Sequence, residues 1–276
     1  MTAESANPST APTTAAPAPG PAAAGAPPPR ISTLLFDLDG TLVAMRQGRV
    51  ELAFTMRAIW RFRGIIAPWR LRPMIRHAVA AMRSHGSTRT NFEVFVDALA
   101  RLSGRPPSEV EARVRALSDR DFGRLASRFY PIPGARETVI RARELGFRTV
   151  LATDPVFPLT AVRLRMEWGS VADIPWDLVA SSEIMTRCKP DPDYFREVAE
   201  RAGVRPDECL MVGNDARMDL PAREAGLLTY LVDHPWSQGA EEAAARGLEP
   251  HISGTFADLC RWLESVKPPS APLTSS

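Results

Sequence analysis

The sequence predicts an α/β fold: a Rossmann-like parallel sheet with helices on both faces, plus an all-helical cap. Three observations predict it. After Pro131, short apolar runs alternate with helix-length segments, the pattern of a parallel sheet covered on both sides. One isolated strand-like run, Ile31–Leu38, comes earlier and ends in Asp-Leu-Asp-Gly. Between the two, residues 46–130 show helical spacing and few strand-like runs.

The elements follow in order. Residues 1–30 hold 10 Ala and 8 Pro and no Leu, Ile, Val or aromatic residue. Such a segment buries too little apolar area to offset its ordering entropy, so it reads as a disordered tail. Residues 267–276 read the same way. Ile31–Leu38 reads as a buried strand running into a tight turn. Helices are expected over Val50–Ile66, Leu71–Arg83, Asn91–Leu102 and Ser108–Leu125, the last with a Ser108/Glu111 capping box. Beyond Pro131, helices are expected at Ala135–Leu145, Leu159–Trp168, Asp193–Ala202, Met218–Ala225 and Phe256–Val266. Strands are expected at Arg148–Thr153, Leu178–Ser181, Cys209–Val212 and Thr229–Val232. Gly146, Gly203 and Gly226 stand where left-handed helix ends are expected. The expected division is a core from 31–45 and 131–266, a cap over 46–130, and the two tails. Because the insert leaves from the carboxyl end of the first strand, it emerges where such sheets bind ligands.

The chain has 276 residues, ample for a real core, with 34 basic against 32 acidic side chains. That balance does not announce a nucleic-acid binder. There is no run of 18 apolar residues and no secretory signal pattern. Three scattered cysteines form neither a zinc site nor a disulfide framework, and a reducing cytoplasm is the expected compartment. Only two of the basic residues are lysines, Lys189 and Lys267.

The polar residues at the expected strand ends are Asp37, Asp39, Gly40 and Thr41, then Thr153 and Asp154, then Asn214, Asp215 and Asp219, with Lys189 ahead of a helix. In a parallel sheet they meet at one edge. Crowded carboxylates repel unless a cation intervenes, and oxygen donors favour Mg²⁺. Lys189 and Thr153 would then face a bound anion. This is equipment for phosphoryl transfer: one carboxylate attacks phosphorus, and a second, two residues on, protonates the leaving oxygen and then activates water.

The motif ISTLLFDLDGTL at Ile31–Leu42 resembles the first motif of the haloacid dehalogenase superfamily of phosphohydrolases. Leu151-Ala152-Thr153, CKPDPDYF at Cys188–Phe195 and MVGNDARMDLPAREAG at Met211–Gly226 resemble the second, third and fourth, in the right order. The strings at 152–158 and 86–95 further resemble an uncharacterised bacterial hydrolase group within it. The resemblance implies Asp37 as nucleophile and metal ligand. It implies Asp39 as acid/base with its carbonyl on the metal, and Thr41, Thr153 and Lys189 around the phosphate. Asp215 and Asp219 would complete the metal site. Two departures stand out: Asp154 replaces the usual Asn, and Asn214 precedes Asp215 where an Asp is usual. Aligned on the glycine, Asn214 takes the metal place. Aligned on the Asp-x-x-x-Asp spacing, Asp215 does, and this second alignment is the expectation. Asn214 and Asp154 are then supporting residues.

The expected partner is a small phosphorylated metabolite, with no nucleic acid. A phosphotransferase or phosphomutase of the same fold differs only in the acceptor. A non-catalytic binding module using a basic cap is the rival from another class. Asp39 argues against the dehalogenase branch, and the lysine-free cap against the phosphonate-cleaving branch. Residues 46–83 carry nine arginines and one acidic residue, Glu51, with Trp60, Phe62 and Trp69 interleaved. Three readings stay open for them: arginine stems packed on apolar surface, a multiply charged substrate or partner, and weak peripheral contact with anionic membrane. Cys188 reads as a packed small hydrophobe, and His77 and His85 as structural. Oligomeric state is not readable from the sequence.

Overall fold

Six parallel strands build the main sheet in a computed structural model that describes residues 30–46 and 48–266. In chain order the elements are β1 (Thr33–Phe36), β2 (Val43–Met45), α1 (Arg49–Phe62), α2 (Pro68–Ser84), α3 (Asn91–Ser103), α4 (Pro107–Ala116) and β3 (Phe129–Pro131). Then come α5 (Ala135–Glu144), β4 (Arg148–Leu151), α6 (Leu159–Trp168), β5 (Leu178–Val179), α7 (Pro192–Ala202) and β6 (Cys209–Gly213). The chain closes with α8 (Ala216–Asp219), β7 (Leu228–Val232), α9 (Ala240–Ala245), β8 (Ile252–Gly254) and α10 (Phe256–Ser265). The sheet order is β5-β4-β1-β6-β7-β8. The expected tails, and Lys267 with them, lie outside the described residues, Arg30 excepted.

Alternation along β1 divides the core. Leu34 and Phe36 face one layer with Val139, Ala142, Leu259 and Leu263 from α5 and α10. Leu35 faces the other, with Phe195, Val198 and Ala202 from α7. Period-two side chains therefore cover both sheet faces with helices, as the continuous apolar runs required. The insert helices build a third cluster of their own, with Phe62, Leu71, Met74, Phe92, Leu99 and Val110 at its centre.

The insert is tied to the sheet in three ways. A short antiparallel pair of strands, β2 with β3, carries the chain out to the insert and back. Both strands are three residues long, too short for periodicity to announce, and β8 and α9 escaped for the same reason. An aromatic group at the junction joins Phe54 and Phe122 to Phe157 and Trp168, with Phe122 stacked on Trp168 at 5.7 Å. Finally Asn91, fully buried, donates to the carbonyl of Arg187 at 3.0 Å, and its backbone N–H donates to Met185. The 86–95 string thus docks on the loop ahead of α7.

Three local expectations need correction. Ser108 caps nothing: Pro106 holds the N-cap position and Pro107 opens α4, with no side-chain cap bond. A proline at the first position, whose missing N–H costs nothing there, displaced the serine by two residues. The helix expected to reach Leu125 ends at Ala116 and passes into a wide turn and then a tighter one. Apolar spacing continues through Leu117 and Leu125, but Gly123 interrupts helix propensity there. The wide turn places buried Asp121 against Arg61, 2.7 Å from its Nε. Likewise Met218–Ala225 divides into α8 and a tight turn containing Pro221, which has no N–H to continue a helix.

Candidate active site

Register assembles the site. Phe36 pairs with Leu151 on one side and Val212 on the other, so Asp37, Ala152-Thr153 and Gly213-Asn214 all leave the sheet at one edge. The Asp37 amide donates to the Val212 carbonyl, and the Ala152 amide to the Phe36 carbonyl.

Lys189 is 1% exposed, and its ammonium donates to Asp37 Oδ1 at 2.8 Å and to Asp219 Oδ1 at 2.6 Å. Burial alone would depress this amine. The charges of Asp219 and Asp37 outweigh it and raise it, so Lys189 is a fixed cation between two carboxylates. Burial pushes the Asp219 carboxyl up, opposed by Lys189 and reinforced by the Asp37 charge. The other Asp219 oxygen accepts the Asp215 amide at 3.1 Å. Gly213 allows this approach: a Cβ there would lie 2.0 Å from Asp219 Oδ2.

Thr41 is buried, and its hydroxyl proton serves Asp37 Oδ2 or Asn214 Oδ1, at 3.1 and 3.0 Å. Gly40 holds φ +88° and lets Asn214 pass, since a Cβ there would lie 2.5 Å from the Asn214 amide nitrogen. Asn214 Nδ2 donates to the Trp236 carbonyl at 2.7 Å. Asp215 points elsewhere. Its carboxylate accepts from Arg217 Nε and Nη2 and from Gln238 Nε2. The structure therefore brings Asn214, and not the Asp215 carboxylate, to Asp37 through Thr41. Spacing counts residues along α8 and cannot see that Asp215 is its N-cap, with its side chain held by the helix's own first turn.

Thr153 is buried, and its carbonyl accepts the Tyr194 hydroxyl at 2.6 Å. Asp154 meets Arg83 of α2 at 2.8 Å, so the extra charge is answered from the insert. Asp39 pairs with Arg165, and its Oδ1 is a buried oxygen with no hydrogen-bond partner. Burial raises the Asp39 carboxyl, while Arg165 opposes the rise.

Arg165 is the residue the sequence reading missed. It lies on α6 with Ala161, Val162 and Met166, all buried, and its guanidinium stacks on Phe157 at 4.7 Å. An arginine at a position whose helical neighbours are all core was the available signal. Cys188 is buried beside Met82 and Val94, and burial raises its thiol, in keeping with a packed small hydrophobe. His77 is exposed. His85 bonds Asn91 and Ser87.

The model of the haloacid dehalogenase-like hydrolases matches residues 31–226. The chain belongs to this family. Its relatives include a glyceraldehyde 3-phosphate phosphatase of Pyrococcus abyssi, 31% identical over 72% of this chain and 80% of its own length. A phosphoglycolate phosphatase of Nitrosospira multiformis is 29% identical over 51% of this chain. That match spans 61% of the relative's length. A HAD phosphatase from Thermococcus onnurineus shares the fold at a TM-score of 0.55 and 18% identity, covering 86% of this chain and all of the other.

Within the matched residues, Asp37, Lys189 and Asp219 meet at one edge of the sheet. No helix among the described residues is long and apolar enough to cross a membrane.

Proposed function

We propose that this hydrolase is a Mg²⁺-dependent phosphohydrolase that cleaves a small phosphate monoester through an aspartyl phosphate. The observation that carries the reading is Lys189, a buried cation joining Asp37 and Asp219 at the sheet edge. A cation held against a nucleophilic carboxylate suits binding of a phosphoryl dianion.

Among the described residues, no three His, Cys, Asp or Glu side chains gather closely enough to hold a metal by themselves. Mg²⁺ needs no such cage, since one or two carboxylates, waters and substrate phosphate serve it. The donors present are all hard oxygens: Asp37, the Asn214 amide oxygen, Asp219 and the Asp39 carbonyl. These residues would hold the ion, which when bound neutralises charge on the phosphoryl group. Asp215, tied to Arg217 and Gln238, fixes the loop that carries Asn214.

In the reaction, an Asp37 carboxylate oxygen forms a bond to phosphorus as the ester P–O bond breaks. Asp39 gives its proton to the leaving oxygen, a task favoured by burial that holds its carboxyl up. Water then attacks phosphorus, Asp39 takes back a proton, and phosphate leaves Asp37. Thr41 orients Asp37, while Lys189 and Thr153 hold the phosphoryl group. A groove of about 460 Å³ beside Asp39, lined by Gly40, Met45, Asn214, Trp236 and Gln238, leaves room for a small leaving group. The helical insert, meeting the site through Arg83, acts as its cap.

Phosphate release should be measured with Mg²⁺ across p-nitrophenyl phosphate, phosphoglycolate and glyceraldehyde 3-phosphate. Turnover is expected for at least one, and Asp37→Asn should remove it while the fold persists. Undiminished turnover in Asp37→Asn, or none with any monoester, would overturn the reading.

A further inference from the structure

Five large apolar side chains stand exposed among the described residues, and four belong to the first two helices of the insert. Leu52 is 67% exposed, Met56 58%, Trp60 50% and Trp69 79%. Leu52, Met56 and Trp60 follow at intervals of four, which puts them along one line of α1. They form a ridge on a helix whose opposite side, through Ala58 and Phe62, is buried in the insert's own core.

Cationic grooves flank the ridge. On one side Leu52 borders a groove of about 460 Å³ that also takes in Arg72 and Arg76 of α2. On the other, Met56 and Trp60 border a groove of about 730 Å³ with Arg57, Arg61, Arg120 and Arg124. Each groove contains one carboxylate, Glu51 in the first and Asp121 in the second. Asp121 is spent on Arg61. Of the nine arginines between 46 and 83, only Arg61 and Arg83 form an ion pair among the described residues. Arg57 keeps a buried Nε with no hydrogen-bond partner. The guanidinium groups of Arg61 and Arg63 each lie over the Trp60 ring, at 4.9 and 4.8 Å from its centre.

We propose that this face of the insert docks on an anionic lipid bilayer, with Leu52, Met56 and Trp60 entering the interface and lipid phosphates filling the two arginine grooves. The order apolar ridge, indole, cationic flank matches the depth order of a bilayer: acyl boundary, headgroup, anionic surface. Charge complementarity selects the occupant, because unpaired arginines are drawn to the net negative surface of anionic lipid, whereas the phosphate of a zwitterionic lipid is balanced by its choline and attracts them far less. A nucleic acid would use the arginines and Trp60 but has no place for the aliphatic ends of Leu52 and Met56. The proposal is independent of the phosphatase reading, since none of these residues touches Asp37 or Lys189.

The test is sedimentation of the full chain with vesicles of phosphatidylcholine alone or mixed with phosphatidylglycerol, at low and high salt. Retention is expected on the anionic vesicles at low salt and its loss near 1 M salt, where screening shortens to about 3 Å. Arg72→Gln with Arg76→Gln should weaken it by about fivefold per arginine. Met56→Ser with Trp60→Ser should weaken it without changing the salt slope. Quenching of tryptophan fluorescence by brominated lipid should fall in Trp60→Phe. Urea midpoints matched to the parent establish that each variant is folded. Equal retention on both vesicle types, or on neither, overturns the proposal. Retention on single-stranded RNA with none on vesicles also overturns it and assigns the face to nucleic acid. Loss in the arginine variant with none in Met56→Ser/Trp60→Ser overturns insertion of the ridge.

Discussion

Arg83, in the last turn of α2, donates to Asp154 at 2.8 Å, so a guanidinium of the insert reaches the residue next to Thr153. Asp154 is held up by burial and drawn down by Arg83. Arg83 is 44% exposed, so the pair is partly screened. A double-mutant cycle in urea should return a coupling of about 0.5–1 kcal/mol between Arg83→Ala and Asp154→Asn. Asp154→Asn should also relieve the cost of Arg83→Ala, because the buried charge is then gone. Additive effects would dissolve the proposed link between insert and sheet edge.

Arg165 holds Asp39 from the buried face of α6. Arg165 is buried but the Asp39 side chain is 28% exposed, so Arg165→Gln leaves a partly solvated carboxylate and should cost about 1–3 kcal/mol, read by urea denaturation. The kinetic signature has a definite sign. Arg165 lowers the Asp39 carboxyl, so its loss raises it further. The protonated acid then persists to higher pH, and the alkaline limb of kcat/KM should move upward. An unmoved limb would show that Asp39 is not the acid.

Lys189 satisfies two buried carboxylates at once. Lys189→Met should cost about 3–5 kcal/mol, because Asp37 and Asp219 are left facing each other. Lys189→Arg should not restore turnover, since the planar fork does not fit a space shaped for a compact ammonium. Calorimetric melting and phosphate release together check this; an active arginine variant would count against it.

Asp177 ties β5 to β4. It accepts the buried Thr149 amide at 2.9 Å and pairs with Arg143 and Arg148. Burial would raise its carboxyl, but the Thr149 amide and the arginines outweigh this and lower it. With a depressed folded value, its contribution is fully present above the unfolded value near 3.8 and is lost as pH falls through the folded value. Asp177→Ala should cost about 1–2 kcal/mol at pH 7, leaving the Thr149 amide unpaired. That difference should shrink towards pH 2 in urea titrations.

Much of this was legible in the residues. α6 occupies Leu159–Trp168, the range its spacing predicts, and β4, β6 and β7 fall within one or two residues of their apolar runs. Parallel pairing then fixes that residues following Phe36, Leu151 and Val212 share an edge, which makes Asp37 and Thr153 legible from the strands, while Lys189 ahead of α7 and Asp219 on α8 are legible from the motifs that resemble the family's. What stayed hidden was short or non-local. Three-residue strands carry no periodicity, and the Pro107 start of α4 overrode a plausible serine cap.

The sequence by itself determined five of the six strands of the main sheet, the position of the helical insert and most of the polar residues that follow its strands, because hydrophobic period and the turn residues that end a strand are local properties. Only the tertiary structure decided which neighbour each of those residues meets. It turned Asp215 towards Arg217 and Gln238 and set Asn214 against Gly40 and Thr41. It answered Asp39 with Arg165, 126 positions along the chain, and Asp154 with Arg83, 71 positions away. Such pairings depend on how helices from different layers pack, and residue spacing carries no record of that.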